Sequence, residues 1–233
     1  MSSFPASQLS FLSKLVKHND RVWFEAHKEE YRTTYAEFQA FALELVTQVS
    51  AFDSQVFAQP DYYKVFRIYR DVRFSKDKTP YKEHYSLEVV RGGRHTGRST
   101  YYFRLKPNNL SLVGAAWFPQ DNRELFAMRT YLSRHVQAFE KILLAPDFAA
   151  DFRLDDPFGK LKTTPRGFRK DDPAIEYLRH KSFTVIADLP DQTLLAADPV
   201  EVVESAWRRT KPYLDFFDAA WAEITQYRGK YGL

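Results

Sequence analysis

Apolar residues recur in steps of three and four through the first 52 residues. Leu9, Leu12, Leu15 and Val16 form one stripe, ended by His18-Asn19-Asp20. Asn19 or Asp20 is placed to cap a second helix, because a short side-chain oxygen accepts from the free N–H groups of a first turn. From Tyr31 the apolar positions run through Tyr35, Phe38, Phe41, Leu45 and Val49 to Phe52, which predicts a long helix with one buried face.

After Pro60 the period falls to two. Phe66, Ile68, Val72 and Phe74 alternate with Arg67, Tyr69, Asp71 and Arg73, which predicts a strand with one buried face. Residues 84–91 and 99–106 continue the strand pattern, joined by a hairpin signal in Gly92, Gly93 and Gly97. Pro107-Asn108-Asn109 then turns the chain into residues 110–117. Turns this short imply antiparallel pairing, since parallel neighbours need a long crossover. Asp121 opens a further helix through Leu125, Met128, Leu132 and Val136, continued by Phe139, Ile142 and Leu143 and stopped at Pro146. A mixed basic segment precedes a strand-like stretch at 183–189, and Asp198-Pro199 starts a last helix that can bend at Pro212. Helices grouped around a central antiparallel meander predict the α+β class. The expectation is a single domain over 1–233, helical over 1–52, sheet over about 62–118, helical and mixed over 121–233.

Composition narrows the chemistry. The absence of Cys among 233 residues removes disulfides, thiolate metal sites and a cysteine nucleophile. The six His show no HExxH or HxH spacing, and GxxxxGK[ST], GxGxxG and GxSxG are missing, so zinc, Walker-type, Rossmann and serine-hydrolase chemistry are disfavoured. The amino-terminal residues do not read as a signal peptide, and no apolar run approaches membrane-spanning length. The expected setting is cytoplasmic, without a membrane partner.

Charge changes the picture more. The net +4 of the chain is uneven: residues 64–82 hold seven basic residues against Asp71 and Asp77, a net +5. Residues 160–181 hold seven against three, a net +4, so the rest of the chain carries −5. On the expected apolar strand face, Arg70 needs a carboxylate, carbonyls or a bound anion. Beyond it, Ser75, Lys76, Lys78, Tyr81 and Lys82 make a donor-rich loop in which Pro80 fixes the backbone.

Three stretches carry a resemblance: 19–28 (NDRVWFEAHK), 66–82 (FRIYRDVRFSKDKTPYK) and Pro165-Arg166-Gly167-Phe168. Together they resemble the domain-of-unknown-function 2461 family, over about 11–183, with Val22 where an acidic residue is expected. The resemblance implies one α+β domain and brings no activity, catalytic residue or cofactor with it.

The leading expectation is a site for a phosphate-bearing or other anionic small molecule. Arg67, Arg70 and Arg73 would clamp the anion, because guanidinium forks match oxyanions in a bidentate way. Asp71 and Asp77 would hold the arginines, Ser75, Lys76, Lys78, Tyr81 and Lys82 would complete the pocket, and Arg166 would reach in from the second basic segment. His84 follows the loop directly and reads more readily as an ordinary strand residue than as a ligand contact. Asp71 and Asp77 are also hard-oxygen candidates for Mg²⁺, a weaker reading than arginine partners. The alternatives are a nucleic-acid-binding module using both basic segments, and a structural or protein-interaction domain whose signature is an ion-pair lattice. Whether any reaction occurs stays open at this level.

Overall fold

The computed structural model describes residues 4–231, with side chains as far as 225; the ends of the expected helical spans, 1–3 and 232–233, lie outside the described residues. The chain opens with three helices, α1 (Ala6–Lys17), α2 (Arg21–Ala26) and α3 (Lys28–Phe52). Asp20 is the cap of α2, its carboxylate accepting from the Trp23 N–H at 2.9 Å. The strands β1 (Tyr63–Val65), β2 (Tyr85–Val90), β3 (Thr100–Leu105) and β4 (Ser111–Trp117) follow. Then come α4 (Asn122–Arg134), α5 (Val136–Leu143), α6 (Pro146–Ala149), β5 (Arg153–Asp155), α7 (Ile175–Leu178), β6 (Phe183–Leu189), α8 (Asp191–Ala196) and α9 (Pro199–Tyr231). Asp198 accepts from the Val200 N–H at 2.8 Å at the start of α9, as the Asp-Pro pair predicts.

The six strands form one antiparallel sheet in the order β1-β2-β3-β4-β6-β5, so the protein is α+β. The meander extends beyond the expected 62–118, because β6 pairs with β4 and the short β5 adds an edge from a stretch expected to be helical or mixed. One sheet face carries Tyr85, Leu87 and Val89, with Tyr101, Phe103, Val113, Trp117 and Phe183, all buried. Helices α3 and α9 lie across it: Phe38 meets Tyr85, Trp207 meets Tyr101, and Phe217 meets both Trp117 and Phe183. Each fully buried aromatic of this kind contributes roughly 1.5–3 kcal/mol of transfer free energy. The opposite face alternates polar and small groups, among them Ser86, Glu88, Tyr102 and Arg104. Gly114 in β4 leaves room for a neighbour, since a Cβ there would stand 2.3 Å from the Val185 carbonyl oxygen.

Three expectations need correction. The strand predicted over 66–74 is not formed: β1 ends at Val65, Ile68 alone is fully buried, and Phe74 is 96% exposed. A strand needs a partner, and 66–84 is itself the connection back to β2, so only an isolated Tyr69–Tyr81 bridge forms. The helix predicted from Asp121 to Pro146 breaks at His135, whose backbone leaves helical geometry and whose N–H is shared between the Tyr131 and Leu132 carbonyls. Pro146 begins α6 rather than merely ending what precedes it. At Pro212, by contrast, α9 continues through the proline.

A buried ion cluster ties the β2–β3 hairpin to the helices. Arg91, 3% exposed, pairs with Asp53 at 2.8 Å, Asp215 at 2.6 Å and Asp218 at 2.8 Å. Asp218 also takes Arg98 at 3.0 Å and the Ser99 hydroxyl at 2.8 Å, and Asp53 accepts from the Tyr101 hydroxyl at 2.7 Å. Burial acts to lower the Arg91 pKa, and the carboxylates outweigh it and raise the value.

Candidate functional site

The loop 66–82 leaves the sheet as a narrow excursion pinned at its neck. The Arg70 N–H donates to the Pro80 carbonyl at 2.9 Å and the Lys82 N–H to the Ile68 carbonyl at 2.7 Å. Pro80 has no N–H to extend the ladder. The neck is fastened from the first helices: Asn19 donates through Nδ2 to the Tyr81 carbonyl at 3.0 Å and accepts from the Tyr81 N–H at 3.2 Å. Phe24 of α2 stacks on Tyr81 with centroids 3.9 Å apart and meets the Tyr69 edge at 5.9 Å. The 19–28 stretch therefore has a mechanical relation to the 66–82 stretch.

Within the loop the acids hold arginines. Arg70 Nη1 donates to both Asp77 and Thr79, and Thr79 returns its hydroxyl to Asp77 at 2.8 Å. Hydrogen bonds from Arg70 and Thr79 hold the Asp77 carboxyl down at about 2. Asp71 pairs with Arg73 at 2.7 Å, and the same contact lowers the Asp71 pKa. Lys78 donates to the Val72 carbonyl at 2.9 Å. Ser75 is half-buried, while Arg67 and Lys76 are exposed.

A cavity of about 500 Å³ opens between this loop and the start of β2. Arg70, Asp71, Asp77, Tyr81 and Lys82 line it, so five of the expected residues converge. Arg67, Arg73, Ser75, Lys76 and Lys78 are not among the lining residues. Arg166 is exposed next to Gly167, which packs against Phe126 in α4, at the far end of the sheet. Gly167 has φ +91° and no space for a Cβ beside that ring, which accounts for glycine in the third family stretch.

The cavity also takes Glu83, His84 and Lys106, of which only His84 was weighed from the sequence, and then as a plain strand residue. The signal was present: 82, 84, 86 and 88 share one strand face, and the β2–β3 register places 104 and 106 beside them. Burial pushes the His84 pKa down to about 4, reinforced by Arg104, Lys82, Lys106 and Arg70. Burial also lowers Lys82, with Lys64 and Arg67 adding repulsion. Lys106 faces Glu83 at 3.5 Å, whereas Lys82 has no carboxylate within ion-pair distance among the described residues.

Among the described residues no group of three or more His, Asp or Glu side chains could hold a metal ion, and Asp71 and Asp77 are each engaged by an arginine. No helix among them is long and apolar enough to cross a membrane.

Fold and loop define an α+β protein built around a pinned basic excursion. The family model described as Conserved hypothetical protein (DUF2461) matches residues 7–216, and the chain belongs to that family. No curated protein and no solved structure matches the chain.

Proposed function

We propose that the cavity beside the loop binds a phosphate-bearing or other anionic small molecule. The observation that carries this reading is the crowding of like charge at its floor. Arg70, Lys82 and Lys106 line the cavity with His84, and among the described residues Lys82 has no carboxylate within ion-pair distance. An entering oxyanion relieves that repulsion, and it favours a proton on His84 at the moment of binding. The cavity's acids oppose an anion less than their number suggests, because Asp77 and Glu83 face Arg70 and Lys106, and Asp71 faces Arg73. Arg70 presents its fork from a fixed position set by Asp77 and Thr79, the preorganisation that makes arginine suited to oxyanions.

Calorimetric titration with inorganic phosphate and pyrophosphate tests the reading. Binding to the parent and its loss in Arg70→Lys, with the fold intact by circular dichroism, is the expected outcome. Equal binding by both proteins removes the arginine clamp, and no binding by the parent removes the reading. The loop's own pairs, Arg70 with Asp77 and Arg73 with Asp71, are the ones the structural alternative expects, and the buried lattice at Arg91 lies outside the loop. The first basic segment joins β1 to β2 and the second joins β5 to β6, at opposite edges of the strand order, which weakens the case for one continuous nucleic-acid surface. The contiguous hydrophobic cluster running from α1 to α9 supports reading the chain as one domain.

A further inference from the structure

A second cavity, of about 320 Å³, opens at the other end of β2. Lys64, Arg94 and Arg98 line it together with Glu88, His95 and Phe118. Arg98 is anchored by Asp218 and by Gln55, so it is presented from a rigid base. Arg94 makes only a loose 3.6 Å pair with the exposed Asp61.

Lys64 lines the second cavity and Lys82 the first, and their ammonium groups lie 4.7 and 5.2 Å from the centroid of the same Phe66 ring. Between the cavities runs the sheet face turned away from α3 and α9. There His84, Ser86 and Glu88 succeed one another along β2, with Arg104 opposite Ser86 and Tyr102 opposite Glu88. Lys64 stands across from Glu88 on β1. Four steps along the chain lead from His84 to Glu88, about 13 Å, and the Arg94 end lies farther still.

Resting on the reading of the first cavity, we infer that both cavities are the ends of one groove for an elongated small molecule with an anionic group at each end. The middle of that molecule is uncharged and rich in hydrogen-bonding atoms. Glu88 is the reason: a carboxylate between the two cationic ends repels an unbroken chain of phosphates, such as an oligonucleotide, while accepting hydroxyl or amine donors. Tyr102 adds a hydroxyl group along the same stretch, whereas Ser86 is only 3% exposed.

The test uses the monophosphate and the bisphosphate of tetraethylene glycol on the full chain. Once one end is bound, the second binds at high effective concentration, so the bisphosphate is expected to bind at least about tenfold more tightly. Arg94→Ala should remove that advantage while leaving monophosphate affinity within about twofold. Among the described residues the one ion pair of Arg94 is the loose one to Asp61, and retained melting behaviour confirms that the variant is native. Monophosphate binding with no more than the twofold statistical gain for the bisphosphate overturns the groove and leaves the first cavity standing. An advantage that survives in Arg94→Ala also overturns it. No binding of either probe overturns the groove and the underlying reading together. Binding of an oligonucleotide more tightly than the bisphosphate overturns the neutral middle.

Discussion

Arg70 directs one guanidinium nitrogen at both Asp77 and Thr79, and Asn19 closes two hydrogen bonds on the Tyr81 backbone, so the loop's shape rests on a few side chains. Asn19→Asp keeps the size and the acceptor but removes the Nδ2 donor. It is expected to cost about 1 kcal/mol and to speed proteolysis within 66–82, read by denaturant unfolding and by limited digestion. His84 makes a pH prediction with a defined sign. Its imidazole titrates near 4 in the folded protein against its ordinary 6.5 when unfolded. Between those values the unfolded chain binds more protons, so stability falls as pH drops from about 6.5 toward 4, by on the order of 2 kcal/mol. His84→Gln should flatten that part of the profile. A bound anion raises the imidazole pKa, so affinity for sulfate, which does not titrate there, should increase as pH is lowered from 7 to 5. In phosphate, the ligand's own titration would confuse the measurement.

At the scale of elements, the β2–β3 hairpin is held to α3 and α9 by a cluster centred on buried Arg91 with three carboxylate partners, to which Arg98, Ser99 and Tyr101 add contacts. Arg91→Met leaves the buried Asp53 without a cation, while Asp218 keeps Arg98 and Asp215 keeps Lys211, and should destabilise the fold by roughly 3–5 kcal/mol in chemical denaturation. The close approach of β4 and β6 makes a second prediction: Gly114→Ala forces the strands apart at Val185 and should cost roughly 1–3 kcal/mol. Legibility in the sequence followed the same division. The long amphipathic helix ending at Phe52, the cap at Asp20 and the strands around 85–117 and 183–189 were readable, because each depends on local periodicity or turn chemistry. The alternation of 66–74 was misleading because a period of two shows only that a stretch can pair. Whether a neighbour exists is a tertiary fact, and here the neighbour is the loop's own return. The break at His135 had no glycine or proline to mark it. The Arg91 cluster unites residues from 53 to 218, a separation no single-sequence pattern can bridge.

Over the whole molecule, helices cover one face of the sheet and basic and polar side chains collect on the other, with the family's stretches at 19–28 and 66–82 locked together at one end. The uneven charge along the chain was legible, whereas of the eleven residues expected together only Arg70, Asp71, Asp77, Tyr81 and Lys82 line the cavity. The contribution of Lys106 and Arg104 was not legible, since it comes from the register of β3 against β2. That register surrounds His84 with cations, and the account turns on what those cations are for. The most direct test is an NMR titration of the His84 imidazole with and without pyrophosphate. The account predicts a pKa near 4 in the free protein, rising by at least about one unit when the anion is present, with no rise in Arg70→Lys. A free pKa at the ordinary 6.5, or a value that saturating pyrophosphate leaves unmoved, would contradict an anion site at this cavity.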